Sequence, residues 1–397
     1  MNDNIKNVIN IISNKYGLTS NEINIIYNKF QNDNRNIEIV QKEIENMASY
    51  YQYQLRLQNI INNTKPLELG KNYYVAAFDN NSNLYLHPVS VSVINSENSE
   101  VIVDNNFKGY QKHTQVDDIE IAISQIGSLL GFEIVEEYRI FDSAKQKHSI
   151  VIKDLVNDDE FYDLDNLKKR FFKLINNGKY KKEKWVDLLG NISVANNKNE
   201  YRMVIDYGLN LLKSLPSITE EDYKIIENKY FDMLIFDSII SQSERNFKDY
   251  GIICDKETKK YSFAPLFDNV FPSILKNNDI IVLNGIVCNR YELIECLFYD
   301  YYDKIQDRVL KILNNKNNYL NNIDMVLKYN LGYENYVMVL NNIMSNLNYF
   351  DRLIKEKEII NNNNNNSGFV NVIQMSIGML ILIGFSIAVG YLLFTMQ

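Results

Sequence analysis

The run Phe231-Asp-Met-Leu-Ile-Phe-Asp-Ser-Ile-Ile-Ser-Gln-Ser-Glu-Arg-Asn-Phe-Lys-Asp-Tyr-Gly-Ile-Ile253, followed after a polar turn by Ser262-Phe-Ala-Pro-Leu-Phe-Asp-Asn269, decides how the chain is read. An apolar helix ends at Ser241. A polar loop then carries Glu244, Arg245 and Asp249, two short β-like runs follow, and Asp268 closes the segment after Ala264-Pro265. The pattern predicts an acidic site built on a helix, a loop and a hairpin.

Carboxylates delivered this way suit magnesium and phosphate chemistry, because magnesium takes hard oxygen ligands and binds through one or two carboxylates plus substrate phosphates. In a kinase catalytic loop the base precedes a metal-binding amide by about five residues, and a second metal-binding Asp follows further on. Glu244 and Asp249 are five residues apart, and Asp268 falls where the second ligand would.

These residues resemble the catalytic core of HipA-like serine/threonine kinases. That family's pattern is roughly Gln/Asn-x-Asp-Arg-His-x-x-Asn-x-Gly, then Ala-Pro-Leu/Ile-Tyr/Phe-Asp-Asn. Here the chain has Gln242-Ser243-Glu244-Arg245-Asn246-Phe247-Lys248-Asp249-Tyr250-Gly251, then Ala264-Pro265-Leu266-Phe267-Asp268-Asn269. Glu244 stands where the family has its catalytic Asp, Asn246 where it has His, and Asp249 where it has a metal-binding Asn. The resemblance spans roughly residues 70 to 330. It implies an α+β, two-lobed protein-kinase-like fold that uses ATP and Mg2+. Glu244 would be the base, Arg245 its neighbour, and Asp249 and Asp268 the metal ligands.

With 397 residues the chain is expected to hold more than one compact body. Its 42 Lys and Arg against 50 Asp and Glu give a net charge of -8, without the basic stripe that a nucleic-acid partner would require. Cys254, Cys288 and Cys296 show neither paired metal spacing nor an even count, so no disulfide framework or zinc site is expected, and a reducing compartment is the simpler setting. His87, His113 and His148 are scattered and read as surface or packing residues.

The order of elements gives a helical module over 1–65, a β-rich small lobe over 66–155 and a helical large lobe over 156–360. An Asn-rich linker over 361–371 and a membrane anchor over 372–397 complete the chain. Ile5, Val8, Ile9 and Ile12 have helical spacing, and Thr19-Ser20-Asn21-Glu22 is a capping start. Asn72 to Phe78 and Leu84 to Ile94 read as strands around a turn at Asp79 to Asn83. Asp117 to Leu130 is amphipathic helix, with Ile119, Ile123, Ile126 and Leu130 on one face.

By the family order, Glu120 on that helix would pair the ATP-binding lysine. The matching strand position near Val103-Asp104 holds none, so Lys108 is taken, with Lys112 beside it; Lys153 paired with Glu160 on a following helix is the alternative. No Gly-rich phosphate loop precedes them, since Gly70 and Gly109 are the only glycines between Gly17 and Gly127.

From Asp158 the chain reads as largely helical, beginning with a helix from Phe161 to Leu174. Thr219 with Asp222 starts the helix feeding the site, on whose apolar face Asp237 is expected as a hydrogen-bonded strut. Asn269 to Leu283 would be an activation-type loop, and Tyr291 to Leu313 one helix.

Met375 to Phe394 is 20 uncharged residues, the length that spans a hydrocarbon core of about 30 Å. Arg352, Lys355 and Lys357 on its N-terminal side put that side in the cytoplasm. Two readings stand at this stage. One is a membrane-tethered kinase acting on a protein Ser/Thr hydroxyl; the other is a catalytically degenerate pseudokinase that binds or scaffolds an unknown protein at the membrane.

Overall fold

A computed structural model describes residues 3–63, 73–78, 84–89, 91–95, 100–103, 107–112, 117–142, 147–153, 159–179, 193–269 and 279–357. The chain divides into two compact units, Met1–Asn346 and Leu347–Gln397. In the second, residues 347–357 are helical and carry the one-turn pair Lys355–Asp351 at 2.6 Å. Among the described residues no helix is long and apolar enough to cross a membrane. The expected span from Met375 to Phe394 lies outside them.

The first unit opens with three helices, α1 (Asp3–Tyr16), α2 (Ser20–Phe30) and α3 (Ile37–Asn63). Thr19 starts α2 as its sequence predicts: its hydroxyl accepts from Glu22 N at 3.4 Å, and Glu22 Oε2 accepts from Thr19 N at 2.7 Å. Ile5, Ile9 and Ile12 meet Ile26, Phe30 and Ile44 in a core of the module's own.

Seven strands then form one antiparallel sheet, in the order β2 (Leu84–Val89), β1 (Tyr73–Phe78), β6 (Glu137–Asp142), β7 (Lys147–Lys153), β5 (Phe107–Lys112), β4 (Glu100–Val103), β3 (Val91–Asn95). The expected single strand from Leu84 to Ile94 is therefore two strands, on opposite rims of the sheet. Six interstrand gaps of about 4.8 Å would put flat rims nearly 30 Å apart, while Val89 and Val91 flank a single residue. The sheet must curl until its rims approach. Helix α4 (Asp117–Leu129) packs on β6 and β7, with Ile119, Ile123, Ile126 and Leu130 all buried.

The large helical part departs from the expected pattern at its start. Residues 160–163 are a strand, β8 (Glu160–Asp163), rather than helix, and it joins β10 (Gly251–Cys254) and β11 (Tyr261–Phe263) in a three-stranded sheet. The β-prone aromatics Phe161 and Tyr162 favour the pleated setting. Asp163 caps the helix that begins at Leu164, accepting from Asn166 N at 2.7 Å. Gly251 leaves β8 no room for a side chain, since a Cβ there would lie 2.8 Å from the backbone Tyr162 O and 2.5 Å from Phe161 Cζ. Gly251→Ala is expected to cost about 1–3 kcal/mol by overpacking, read as a shift in the urea midpoint.

Two more expectations change. The last four residues of the proposed activation-type loop are strand: β12 (Ile280–Leu283) forms a hairpin with β13 (Ile286–Asn289) and runs parallel to β9 (Glu244–Arg245). The single helix expected over Tyr291 to Leu313 is two, Arg290–Asp300 and Tyr302–Asn314. The break at Tyr301 needs no Gly or Pro. Its ring packs on Phe231 at 5.4 Å and its hydroxyl donates to Asp206 Oδ1 at 2.7 Å, contacts that a continuing helix would forgo.

Candidate functional site

The helix Glu220–Ile240 delivers the site. Thr219 caps its start, its hydroxyl accepting from Asp222 N at 3.0 Å. Ser241 ends it in the left-handed conformation, φ 59°. The Ser241 hydroxyl is bound by Arg290, Asn342 and Asn346, which fixes the direction in which the chain leaves.

Arg245 is fully buried and all five of its N–H donors are used. Nε and Nη2 reach Asp237 Oδ2 and Oδ1 at 3.0 and 2.6 Å, and Nη2 also reaches Asn269 Oδ1 at 3.0 Å. Nη1 donates to Asp249 O at 3.1 Å and Phe267 O at 2.8 Å. Asp237 is thus the strut its position predicted. One guanidinium ties the helix to the loop at 249 and to the segment at 267–269. Burial pushes the Asp237 carboxyl up, and Arg245 offsets part of that rise. Burial also acts to lower Arg245, but Asp237, Asp249 and Asp268 outweigh it, and the guanidinium stays charged.

A second tie is Gln242, whose Nε2 donates to Glu244 O at 2.9 Å and to Asp268 O at 3.1 Å. Asn269 Nδ2 reaches Ser124 Oγ on α4 at 3.3 Å, and Leu266 exchanges backbone bonds with Glu133 and Val135. Neither Gln242 nor Asn269 was singled out by sequence reasoning, although both stand inside the motif. Nothing in the sequence marked Ser124.

The candidate residues gather around these ties. Glu244 is exposed on β9, and its carboxylate accepts from Asn246 Nδ2. Asp249 is half-buried, and its Oδ2 accepts from Asn246 N at 2.7 Å. Asp268 is half-buried and takes a left-handed backbone, φ 49°, a region Asp enters more readily than most residues. Burial raises the Asp249 carboxyl; the Asn246 N–H and Arg245 hold it down, while Asp268 and Glu244 push it further up. Asp249 therefore feels both of the other acids.

Glu120 is fully buried on α4, one turn before Ser124. Lys108 and Lys112 lie on β5. The register sets Lys108 against Ile102 and Gly109 against Lys153, so positions 108 and 153 belong to opposite faces of the sheet. The alternative pair is not formed. Lys153 Nζ binds Glu136 Oε1 at 2.6 Å, whereas Glu160 lies on β8, not on a helix, with Tyr162 and Lys259.

Among the described residues no three His, Cys, Asp or Glu side chains stand together as a metal cage. A magnesium–nucleotide site does not require one, because phosphate oxygens and waters complete the shell. Asp249 and Asp268 offer the hard oxygens such an ion takes, and the mutual repulsion felt at Asp249 is what a cation would relieve.

The raised Asp249 carboxyl, pushed up first by burial and then by its acidic neighbours, gives a pH signature. A carboxyl whose folded-state pKa is raised stabilises the fold below its unfolded value, about 3.9, and this contribution is lost as pH rises through the folded value. Asp249→Asn keeps an acceptor for Asn246 N and removes the charge. The variant is expected to be the more stable at pH 7 and to lose less stability than the parent on going from about pH 4 to pH 7. Urea midpoints across that range check it.

No protein-family model matches the chain, and no curated protein matches it. Among solved structures it is similar to the crystal structure of a Helicobacter pylori proinflammatory kinase, CtkA. There the identity is 16% and the TM-score 0.46, over 67% of this chain and 95% of that one. It is similar also to a chain of the Shewanella oneidensis MR-1 toxin–antitoxin complex of HipA, HipB and operator DNA. In that case the identity is 11% and the TM-score 0.38, over 76% of this chain and 70% of that one. Both likenesses are to a mixed helical and β architecture, and at these scores they carry no argument about chemistry.

Proposed function

We propose that the chain is a protein kinase of the HipA-like kind, transferring the terminal phosphoryl group of ATP to a Ser or Thr hydroxyl of a protein. In this reading Met375 to Phe394 anchors it in a membrane, with the preceding residues on the cytoplasmic side. The observation that supports the reading is the buried Arg245, which holds the backbone at 249 and 267 with one guanidinium, beside an Asp249 carboxyl that feels both Asp268 and Glu244. A divalent ion bound there would neutralise charge on the phosphates.

The protein's own part is positioning. Asp249 and Asp268 would hold the ion, Lys108 with Glu120 would steady the phosphates, and Glu244 would orient the acceptor hydroxyl and take its proton. The test is label transfer from terminally labelled ATP in the full chain, with and without magnesium, against Asp268→Ala. Magnesium-dependent incorporation above that variant supports the reading; parity with it ends it.

A second reading rests on the Asn246 side chain, which donates to one oxygen of the Glu244 carboxylate. With that carboxylate held, the site binds a nucleotide without passing on its phosphoryl group. Nucleotide binding that persists with no label transfer selects this pseudokinase.

A further inference from the structure

The helix Lys316–Asn330 runs between the N-terminal module and α4, and its last turn touches both. An α-helix leaves its final carbonyls without partners of its own. Here the module reaches one of them and the residue just past the helix: Gln54 Nε2 donates to Lys328 O at 2.5 Å, and Tyr50 OH donates to Leu331 O at 2.9 Å. The Tyr50 ring stacks on Tyr336 at 5.6 Å, and Lys328 Nζ donates to Ser49 Oγ at 3.3 Å. Both carbonyls belong to the stretch that ends the helix, so their donors come from another element of the chain.

The same last turn carries Asn330, which is 4% exposed. Its Nδ2 donates to Gln125 Oε1 on α4 at 2.8 Å and to Val326 O at 2.9 Å. Gln125 follows Ser124, so the two project from α4 about 100° apart. One is held by Asn330, the other by Asn269 beside Asp268. Glu120 lies one turn before Ser124, and its direction is set by how α4 is rotated.

We propose that the N-terminal module positions α4, and with it Glu120 and the Ser124–Asn269 contact, by capping the last turn of Lys316–Asn330, with Asn330 and Gln125 as the coupling pair. Undocking Tyr50 and Gln54 returns the carbonyls at 328 and 331 to water and frays that turn. Asn330 then loses its hold on Gln125, and α4 is free to rotate. Asn330, Gln125 and Tyr50 are positioning residues. Their effect on turnover rests on the kinase reading above; their effect on α4 does not.

The test is amide hydrogen exchange in the full chain with Tyr50→Phe/Gln54→Leu, Asn330→Ala, Gln125→Leu and Gln125→Glu. Loss of one or two hydrogen bonds is expected to speed exchange over 117–129 about five- to tenfold in the first three. Gln125→Glu keeps an acceptor for Asn330 and is expected to leave exchange there unchanged. Where label transfer is seen, the first three lower kcat and the Glu variant does not. Faster exchange at 326–331 with none over 117–129 overturns the coupling, as does a Glu variant that behaves like Leu. If Tyr50→Phe/Gln54→Leu opens the module itself, seen as faster exchange over 3–56, Asn330→Ala and Gln125→Leu decide the matter. Coupled exchange in a chain that transfers no label upholds the inference and removes the kinase reading.

Discussion

Arg245→Met is expected to destabilise the fold by about 3–5 kcal/mol, the usual effect of stranding one partner of a buried ion pair. Asp237 would keep a carboxylate that is 1% exposed with no cation beside it. Asp249 O, Phe267 O and Asn269 Oδ1 would also lose a donor. Lys cannot replace Arg here, since three donors on a point charge do not match five acceptor contacts in a planar fork. The double variant Asp237→Leu/Arg245→Met removes both charges and is expected to recover part of the loss, because two apolar groups in a buried pair's place are often tolerated. Urea midpoints of the three proteins read this directly. A loss under about 1 kcal/mol for Arg245→Met would mean that the site is held by something other than its guanidinium.

Glu244→Gln is expected to lower phosphoryl transfer by about 10²–10⁴-fold, the range that a positioned acid–base group contributes. The amide keeps nearly the shape of the carboxylate. Glu244 is exposed and its side chain bonds only to Asn246 among the contacts seen, so stability should hardly change. Nucleotide affinity is expected to hold as well, since the metal ligands proposed above are Asp249 and Asp268. Transfer rates and nucleotide binding measured on one preparation separate the two effects. An unchanged rate in Glu244→Gln would assign proton handling elsewhere and leave Glu244 a loop residue.

How far the site could be read in advance follows from what each residue bonds to. The cap at Thr219, the helix end at Ser241, the hairpin after Asp249 and the Asp237 strut are local, set by spacing and by the need to pair a buried acid. The partners that matter most for Asn269 and Gln242, Ser124 and the backbone of Asp268, are not local. Asn269 reaches Ser124, 145 residues away, and only the folded chain brings α4 to it. Likewise β9 is two residues long and becomes strand only because β12 lies beside it. The break at Tyr301 carries no sequence mark, since it answers to Asp206 and Phe231. The strand over 160–163 was hidden because four residues, even with the β-prone Phe161 and Tyr162 among them, are too short to show a period apart from the helix that follows.

The left-handed backbone at Asp268 bears on how such a chain drifts over generations. Gly and Asn are the residues that sit there with least strain. A single replacement can thus erase the acid proposed to hold the metal while leaving the scaffold nearly as sound as before. For a protein of this build, losing its chemistry and keeping its shape is a short mutational step, and descendants that only bind would be under no pressure to unfold.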